Sequence, residues 1–271
     1  MTLHVYNDLE QGSDAWLEAR RGIVTASVVG QLISVKEAGP LNGKCPECGS
    51  DKGSWCVSRA RKEPTPIKTF HASRTAPPGT PPIIDVAHDN TADALTRLLV
   101  AERITGWVDP VYVSDDMMRG TLDEPIARAI YAEHYAPVDE VGFMVRDDWG
   151  FRIGYSPDGL VGDKGLIEIK SRRAKKQLDT ILRDEVPAEN MAQIQCGIYV
   201  SGREWCDYVS FCGGMPLYVK RVEWDEQWQR AIVAAVQAFE EVASEMTDHY
   251  TTAIAGRPAT QRIDHFQEAS L

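Results

Sequence analysis

The chain has 271 residues, 43% of them hydrophobic and 25% charged, the balance of a globular protein and not of a fibrous or low-complexity one. Forty acidic residues against 29 basic ones leave a net charge of −11, which excludes a polycationic nucleic-acid coat but not a local basic surface. No run approaches the length of a membrane span, and Met1 to Gln11 lacks the basic-then-apolar order of a secretory leader. Six cysteines, at 45, 48, 56, 196, 206 and 212, suit a reducing compartment better than a disulfide framework, so a cytoplasmic location without a membrane partner is expected.

Residues 12–34 read as a turn, a helix over Ala15–Arg20 broken at Gly22, and a short second helix. Thr25 can cap that second helix, and Val28, Val29 and Leu32 form its apolar side. Residues 35–86 differ in character: proline and glycine are dense, apolar runs are short, and three of the six cysteines fall here. Lys36, Lys44, Lys52, Arg59, Arg61, Lys62, Lys68 and Arg74 outnumber the acidic side chains, so the segment is net positive. It reads as an insertion or long loop within one domain spanning 1–271.

Helical spacing resumes over 88–104 and ends near Gly106, and Leu122–Tyr135 forms another helix. Val138–Val145 and Phe151–Tyr155 read as paired strands around Asp147-Asp148-Trp149-Gly150. Leu166–Lys170 is a short strand, Asn190–Val200 a helix, and Trp205–Phe211 and Leu217–Val222 further strands. A long amphipathic helix over 224–246 follows. This order predicts an α/β fold with a central mixed sheet flanked by helices and a Cys-containing insertion. Trp16, Tyr199, Trp205 and Tyr208 read as packing residues.

The most informative run is Gly154 to Lys170. Asp158, between Pro157 and Gly159, follows one strand; Glu168 and Lys170, two apart on the next, face the same way. A hairpin can set Asp158 beside Glu168, where two carboxylates repel unless a hard cation takes their oxygens. The Ile169 carbonyl is a further oxygen donor, Glu124 a further candidate ligand from the preceding helix. Lys170 then sits where it can orient or activate water and steady phosphate charge. An isolated Glu-x-Lys is usually an ion pair on a surface hairpin; the Asp ten residues earlier at a strand end is what moves the reading toward a metal site.

Cys45-Pro-Glu-Cys48-Gly resembles half of a zinc ribbon, with Cys56 a third zinc-ligand candidate. The fourth is open: His71 is nearest in type, with His88 behind it. The competing reading is a flexible basic loop with free thiols.

Four blocks together resemble the lambda exonuclease or YqaJ type of viral recombinase exonuclease, within the PD-(D/E)xK nuclease superfamily with its restriction-endonuclease-like core. They are Trp16 to Ser27, the helix with Gly120 and Glu124, Ser156-Pro-Asp158-Gly-Leu followed by Glu168-Ile-Lys170, and Met191-Ala-Gln193-Ile-Gln195. The resemblance covers most of 12–222 outside 35–86. It implies metal-binding carboxylates at Asp158 and Glu168, a catalytic lysine at Lys170, a helical glutamate at Glu124 and a glutamine at Gln193. It implies a further acidic position at Asp148, with Asp147 adjacent. It also implies a pocket for a terminal 5′-phosphate at Arg20, Thr25 and Ser27, joined by Ser156.

The same resemblance implies a Mg²⁺-dependent nuclease, with Mn²⁺ as a substitute, that digests double-stranded DNA ends 5′ to 3′ and leaves 3′ tails. It implies a single-strand annealing protein as partner, a homotrimer, and a bacterial or phage-infected cytoplasm. Two other readings stand beside it. One is a Cas4- or RecB-like nuclease of other polarity, although the cysteines lack the carboxy-terminal trio of the iron–sulfur types. The other is a non-catalytic DNA-end or zinc-binding adaptor, against which Asp158, Glu168 and Lys170 argue.

Overall fold

The computed structural model describes residues 2–58, 63–110 and 113–263. Arg59, Arg61 and Lys62 of the basic segment, and the last eight residues of the weakly patterned C-terminus, lie outside the described residues.

In chain order the elements are β1 (Thr2–Tyr6), α1 (Asp14–Arg20), β2 (Val24–Thr25), α2 (Ala26–Val29), β3 (Ile33–Lys36), β4 (Val57–Ser58), β5 (Thr65–Pro66) and β6 (Ile83–Val86). There follow α3 (Asn90–Thr105), α4 (Asp115–His134), β7 (Phe143–Asp148), β8 (Phe151–Tyr155), β9 (Gly159–Val161) and β10 (Gly165–Ser171). The chain continues through α5 (Ala174–Arg183), α6 (Ala188–Ser201), β11 (Trp205–Phe211), β12 (Tyr218–Glu223) and α7 (Glu226–Ala253).

The central sheet comes as two hydrogen-bonded halves, in the orders β1-β7-β8-β2 and β12-β11-β10-β9. Each half is mixed: β8 runs parallel to β2 and β10 parallel to β11, while the remaining neighbours are antiparallel. The chain passes from one half to the other at Ser156–Asp158, between β8 and β9. Gly159 makes that crossing feasible, because a Cβ there would stand 2.2 Å from Val138 Cγ1.

Helix α6 packs between the halves, against α2, α7 and strands of both sheets. Ala192, Ile194, Cys196, Ile198 and Val200 are buried in the main core with Tyr155, Leu166, Tyr208, Ile232 and Phe239. A second cluster under α4 holds Tyr131, Ile167, Ile169 and Val209. Helix starts follow their caps: Ser13 accepts from Trp16 N, Asp89 from Thr91 N and Ala92 N, Ser114 from Met117 N, and Asp225 from Trp228 N.

Several sequence expectations are adjusted. Helix α4 begins at Asp115, a full two turns before Leu122, with Ser114 as its cap and Pro125 inside it. Strand β7 begins at Phe143; only an isolated bridge from Asp139 to Leu160 precedes it. Helix α7 runs on to Ala253. Thr25 stands at the N-cap position of α2, but its side chain makes no capping bond. Strands β1 and β9 and helix α5 have no counterpart in the sequence reading. Strand β3 pairs antiparallel with β6, Lys36 opposite Ile83, so the chain leaves for and returns from residues 37–82 at one place.

Candidate active site

The carboxylates assemble where the sheet halves meet. Asp158 enters from the β8–β9 crossing, Glu168 and Lys170 from one face of β10, Glu124 from the middle of α4, and Gln193 from the first turns of α6. All five line one cleft of about 370 Å³. Arg20, Thr25, Ser27, Trp16 and Ser156 line the same cleft. The Trp16-to-Ser27 block and the Gly154-to-Lys170 run, far apart in sequence, thus share one surface.

Lys170 Nζ donates to Glu168 Oε1 at 2.7 Å and to Gln193 Oε1 at 3.0 Å. Glu168 is 1% exposed, and its other oxygen accepts from Tyr155 OH at 3.4 Å. Asp158 Oδ2 accepts from the Ile169 backbone N–H at 2.6 Å. Glu124 is ion-paired with Arg128, whose Nε donates to the Asp158 carbonyl at 2.7 Å. Arg128 also binds Glu140 at 2.6 Å. Burial and then the charges of Glu168 and Glu124 push the Asp158 carboxyl well above its ordinary 3.8. Burial likewise raises Glu124, against the pull of Arg128. Burial lowers the Lys170 ammonium, but Glu168 and Asp158 outweigh that and hold it above its ordinary value.

Three carboxylates therefore face Lys170 and Arg128, and two of them, Asp158 and Glu124, are held toward their protonated forms. An all-oxygen donor set short of positive charge fits a hard divalent cation such as Mg²⁺, with Asp158, Glu168 and Glu124 as its holders.

In the same cleft Arg20 Nη2 donates to Thr25 Oγ1 and to Ser27 Oγ, each at 3.3 Å, and the two hydroxyls are 3.1 Å apart. The guanidinium lies 3.9 Å above the Trp16 ring. The Trp16 indole N–H donates to Ser156 Oγ at 2.9 Å, so Trp16 joins the site as well as packing on Ile23, Phe143 and Val145. Helix α3 fixes the turn between Arg20 and Thr25: Glu102 accepts from Gly22 N at 2.7 Å, and Arg103 Nε donates to Gly22 O at 2.6 Å. Gly22 has φ 64°, and a Cβ on it would stand 2.5 Å from Arg103 Cγ.

Asp148 lies away from this cleft. It pairs with Phe151 at the far end of β8 and is bound by Arg146 at 3.2 Å. Arg128, Glu102 and Arg103 escaped the sequence reading; as isolated charges on helices, they carry no pattern that separates them from solvated ones.

A second cluster sits in the 37–82 segment. Ligand atoms of Cys45, Cys48, Cys56 and His71 all lie within 4.8 Å of one another. Cys45 Sγ is 3.3 Å from His71 Nδ1, and the Ser50 hydroxyl, first among its neighbours, draws the Cys48 thiol down to about 5. Three sulfurs and one imidazole nitrogen converging on a point suit a four-coordinate structural zinc. His71, not His88, supplies the nitrogen. The buried Arg74 ties the loops around the cluster, binding the carbonyls of Gly43, Ser54 and Asp51 at 2.8–3.0 Å.

Residues 81–204 match the YqaJ-like viral recombinase domain, and they contain every carboxylate of the cleft together with Lys170 and Gln193. Residues 11–88 match a phage zinc finger domain, described provisionally as DNA-binding, and these contain the Cys45/Cys48/Cys56/His71 cluster. The chain is similar in structure to an alkaline exonuclease, LHK-Exo, from Laribacter hongkongensis. The two share 27% identity and a TM-score of 0.63 over 90% of this chain and 98% of that one. The same values hold for LHK-Exo in complex with dAMP. None of the curated proteins matches the chain.

Proposed function

We propose that the protein is a Mg²⁺-dependent exonuclease of the recombinase type that digests duplex DNA ends 5′ to 3′ and leaves 3′ single-stranded tails. The observation that carries the reading is the shared cleft, lined by both a carboxylate–lysine centre and an arginine–hydroxyl group. The dAMP held by LHK-Exo is a mononucleotide, which agrees with release of single nucleotides.

A divalent ion held by Asp158, Glu168 and Glu124, with the Ile169 carbonyl as a further donor, supplies polarisation of the scissile phosphate and stabilisation of the leaving oxygen. The chain's own groups do the positioning. Lys170, fixed between Glu168 and Gln193, presents ammonium protons to the attacking water and to the phosphate oxygens. Arg20 offers its fork of N–H donors to the terminal 5′-phosphate, with Thr25, Ser27 and Ser156 adding hydroxyls. Arg128 holds Glu124 and the Asp158 backbone in place.

The Cys45, Cys48, Cys56 and His71 cluster holds a structural zinc that orders residues 35–86 as a subdomain inserted into one nuclease domain. Its zinc-finger likeness supports duplex or single-strand contact by that segment. Asp148 plays no part in the centre. The protein works in the cytoplasm of a bacterial or phage-infected cell, as a homotrimer, and hands its tails to a single-strand annealing protein.

Digestion of a linear duplex labelled separately at its 5′ and 3′ ends tests the reading. Mg²⁺-dependent release of 5′-labelled mononucleotides before any loss of the 3′ label is expected. Loss of the 3′ label first overturns the polarity, and binding without digestion overturns the enzyme.

A further inference from the structure

The zinc cluster leaves one aromatic surface that coordination does not account for. Trp55 directly precedes Cys56, yet its side chain points outward and is 50% exposed. It is not loose. Its ring lies flat on Phe70, with centroids 4.9 Å apart and planes 3° from parallel. The Arg74 guanidinium stands 5.5 Å from the Phe70 ring and anchors it to the cluster, donating to Cys56 Sγ at 3.4 Å. One face of the indole is therefore covered and held rigid, and the other faces solvent.

An exposed indole adds nothing to a folded core, and leaving it in water forgoes the gain of burial. Lysines flank both rings in sequence. Lys52 stands three residues before Trp55, and Lys68 two residues before Phe70; both are exposed. Neither has an acidic partner among the described residues, whereas Asp51 is engaged by Lys44 and Glu47 by His71. A fixed aromatic face in a segment with exposed lysines is the chemistry that binds unpaired bases: the ring stacks on a base and the ammonium groups meet the phosphates. The interior of a duplex and its grooves offer this ring no open base face.

We propose that Trp55 is a stacking platform on which the zinc-bearing segment binds single-stranded DNA, with Lys52 and Lys68 on the backbone. The inference rests on the zinc reading of Cys45, Cys48, Cys56 and His71 but not on the polarity or the catalytic roles assigned to the cleft.

The test uses the full-length zinc-loaded protein, with Ca²⁺ in place of Mg²⁺ to hold digestion off. Its probes are a twelve-nucleotide oligothymidine carrying one 2-aminopurine and a blunt duplex of equal length, both with 5′-hydroxyl ends. Wild type should bind the single strand and quench the 2-aminopurine by stacking. Trp55→Ala should bind it about tenfold more weakly and abolish the quench, with zinc content and duplex affinity unchanged. Trp55→Phe should retain the quench. The Lys52→Ala/Lys68→Ala double variant leaves the ring stack intact and should keep the quench while flattening the salt dependence of binding. An unchanged quench and affinity in Trp55→Ala at full zinc content overturns the proposal, as does an equal loss on single strand and duplex. Wild-type protein that carries no zinc overturns the zinc reading beneath it, which metal analysis of the same sample reports separately.

Discussion

The Trp16 indole N–H donates to Ser156 Oγ across 140 positions of sequence, at 2.9 Å. The bond joins the helix that carries Arg20 to the crossing that carries Asp158, so the two groups are tied together. Trp16→Phe keeps a ring beneath Arg20 and removes only the donor. Loss of one such bond, worth about 1 kcal/mol, should raise KM for 5′-phosphorylated duplex about fivefold with kcat little changed. Steady-state kinetics on phosphorylated and dephosphorylated ends checks this, since a pocket for phosphate predicts a smaller effect on the dephosphorylated substrate.

Gly22 sets the same pocket from behind. Its positive φ and the nearness of Arg103 leave no room for a Cβ. Gly22→Ala should cost about 2 kcal/mol, read as a lowered midpoint in chemical unfolding. Glu102→Gln should cost less in stability but weaken discrimination for 5′-phosphate, because the Gly22 N–H then meets a neutral acceptor.

The Asp158 carboxyl is raised by burial and by its acidic neighbours, so the folded protein without Mg²⁺ binds a proton that the unfolded chain releases near 3.8. The folded state then binds more protons than the unfolded one above that pH, and stability without Mg²⁺ falls as pH rises through the window between the two values. Asp158→Asn removes this penalty and keeps an acceptor for Ile169 N. It should melt higher than wild type in Mg²⁺-free buffer at pH 8, and the difference should shrink toward pH 4. Thermal melts across that range check the sign. With wild type, the rise in melting temperature on adding Mg²⁺ should grow with pH, and Asp158→Asn should lose most of it.

Replacing Cys45 by Ser should remove the zinc, since three ligands hold a structural ion poorly. The residues of the cleft stand outside 35–86, so digestion of short duplexes should survive. Metal analysis beside the digestion assay checks both halves.

Legibility in the sequence followed local signals. Glu168 and Lys170 were readable because strand alternation fixes their common face, and Asp158 because Pro157 and Gly159 mark a strand end. The cysteine spacing was readable for the same local reason, and His71 was the nearest candidate in type. What escaped depends on tertiary contact. Strand β1 is only five residues long and exposed at every position, so its brief Leu3/Val5 alternation marks no buried face. The first turns of α4 carry Gly120, which hides a helix that Ser114 caps. Arg128, Glu102 and Arg103 take their meaning from partners distant in sequence. Asp148 came only from the family resemblance, and the extended β8 carries it to the opposite end of the strand from Asp158.

The central claim is that Lys170, between Glu168 and Gln193, serves the chemical step and not the capture of the DNA end. Single-turnover digestion of 5′-phosphorylated duplex by Lys170→Met, with end binding measured in Ca²⁺, tests it most directly. The account predicts a rate about a thousandfold lower with end affinity within a factor of two or three of wild type. A wild-type rate, or a loss confined to binding, would contradict it.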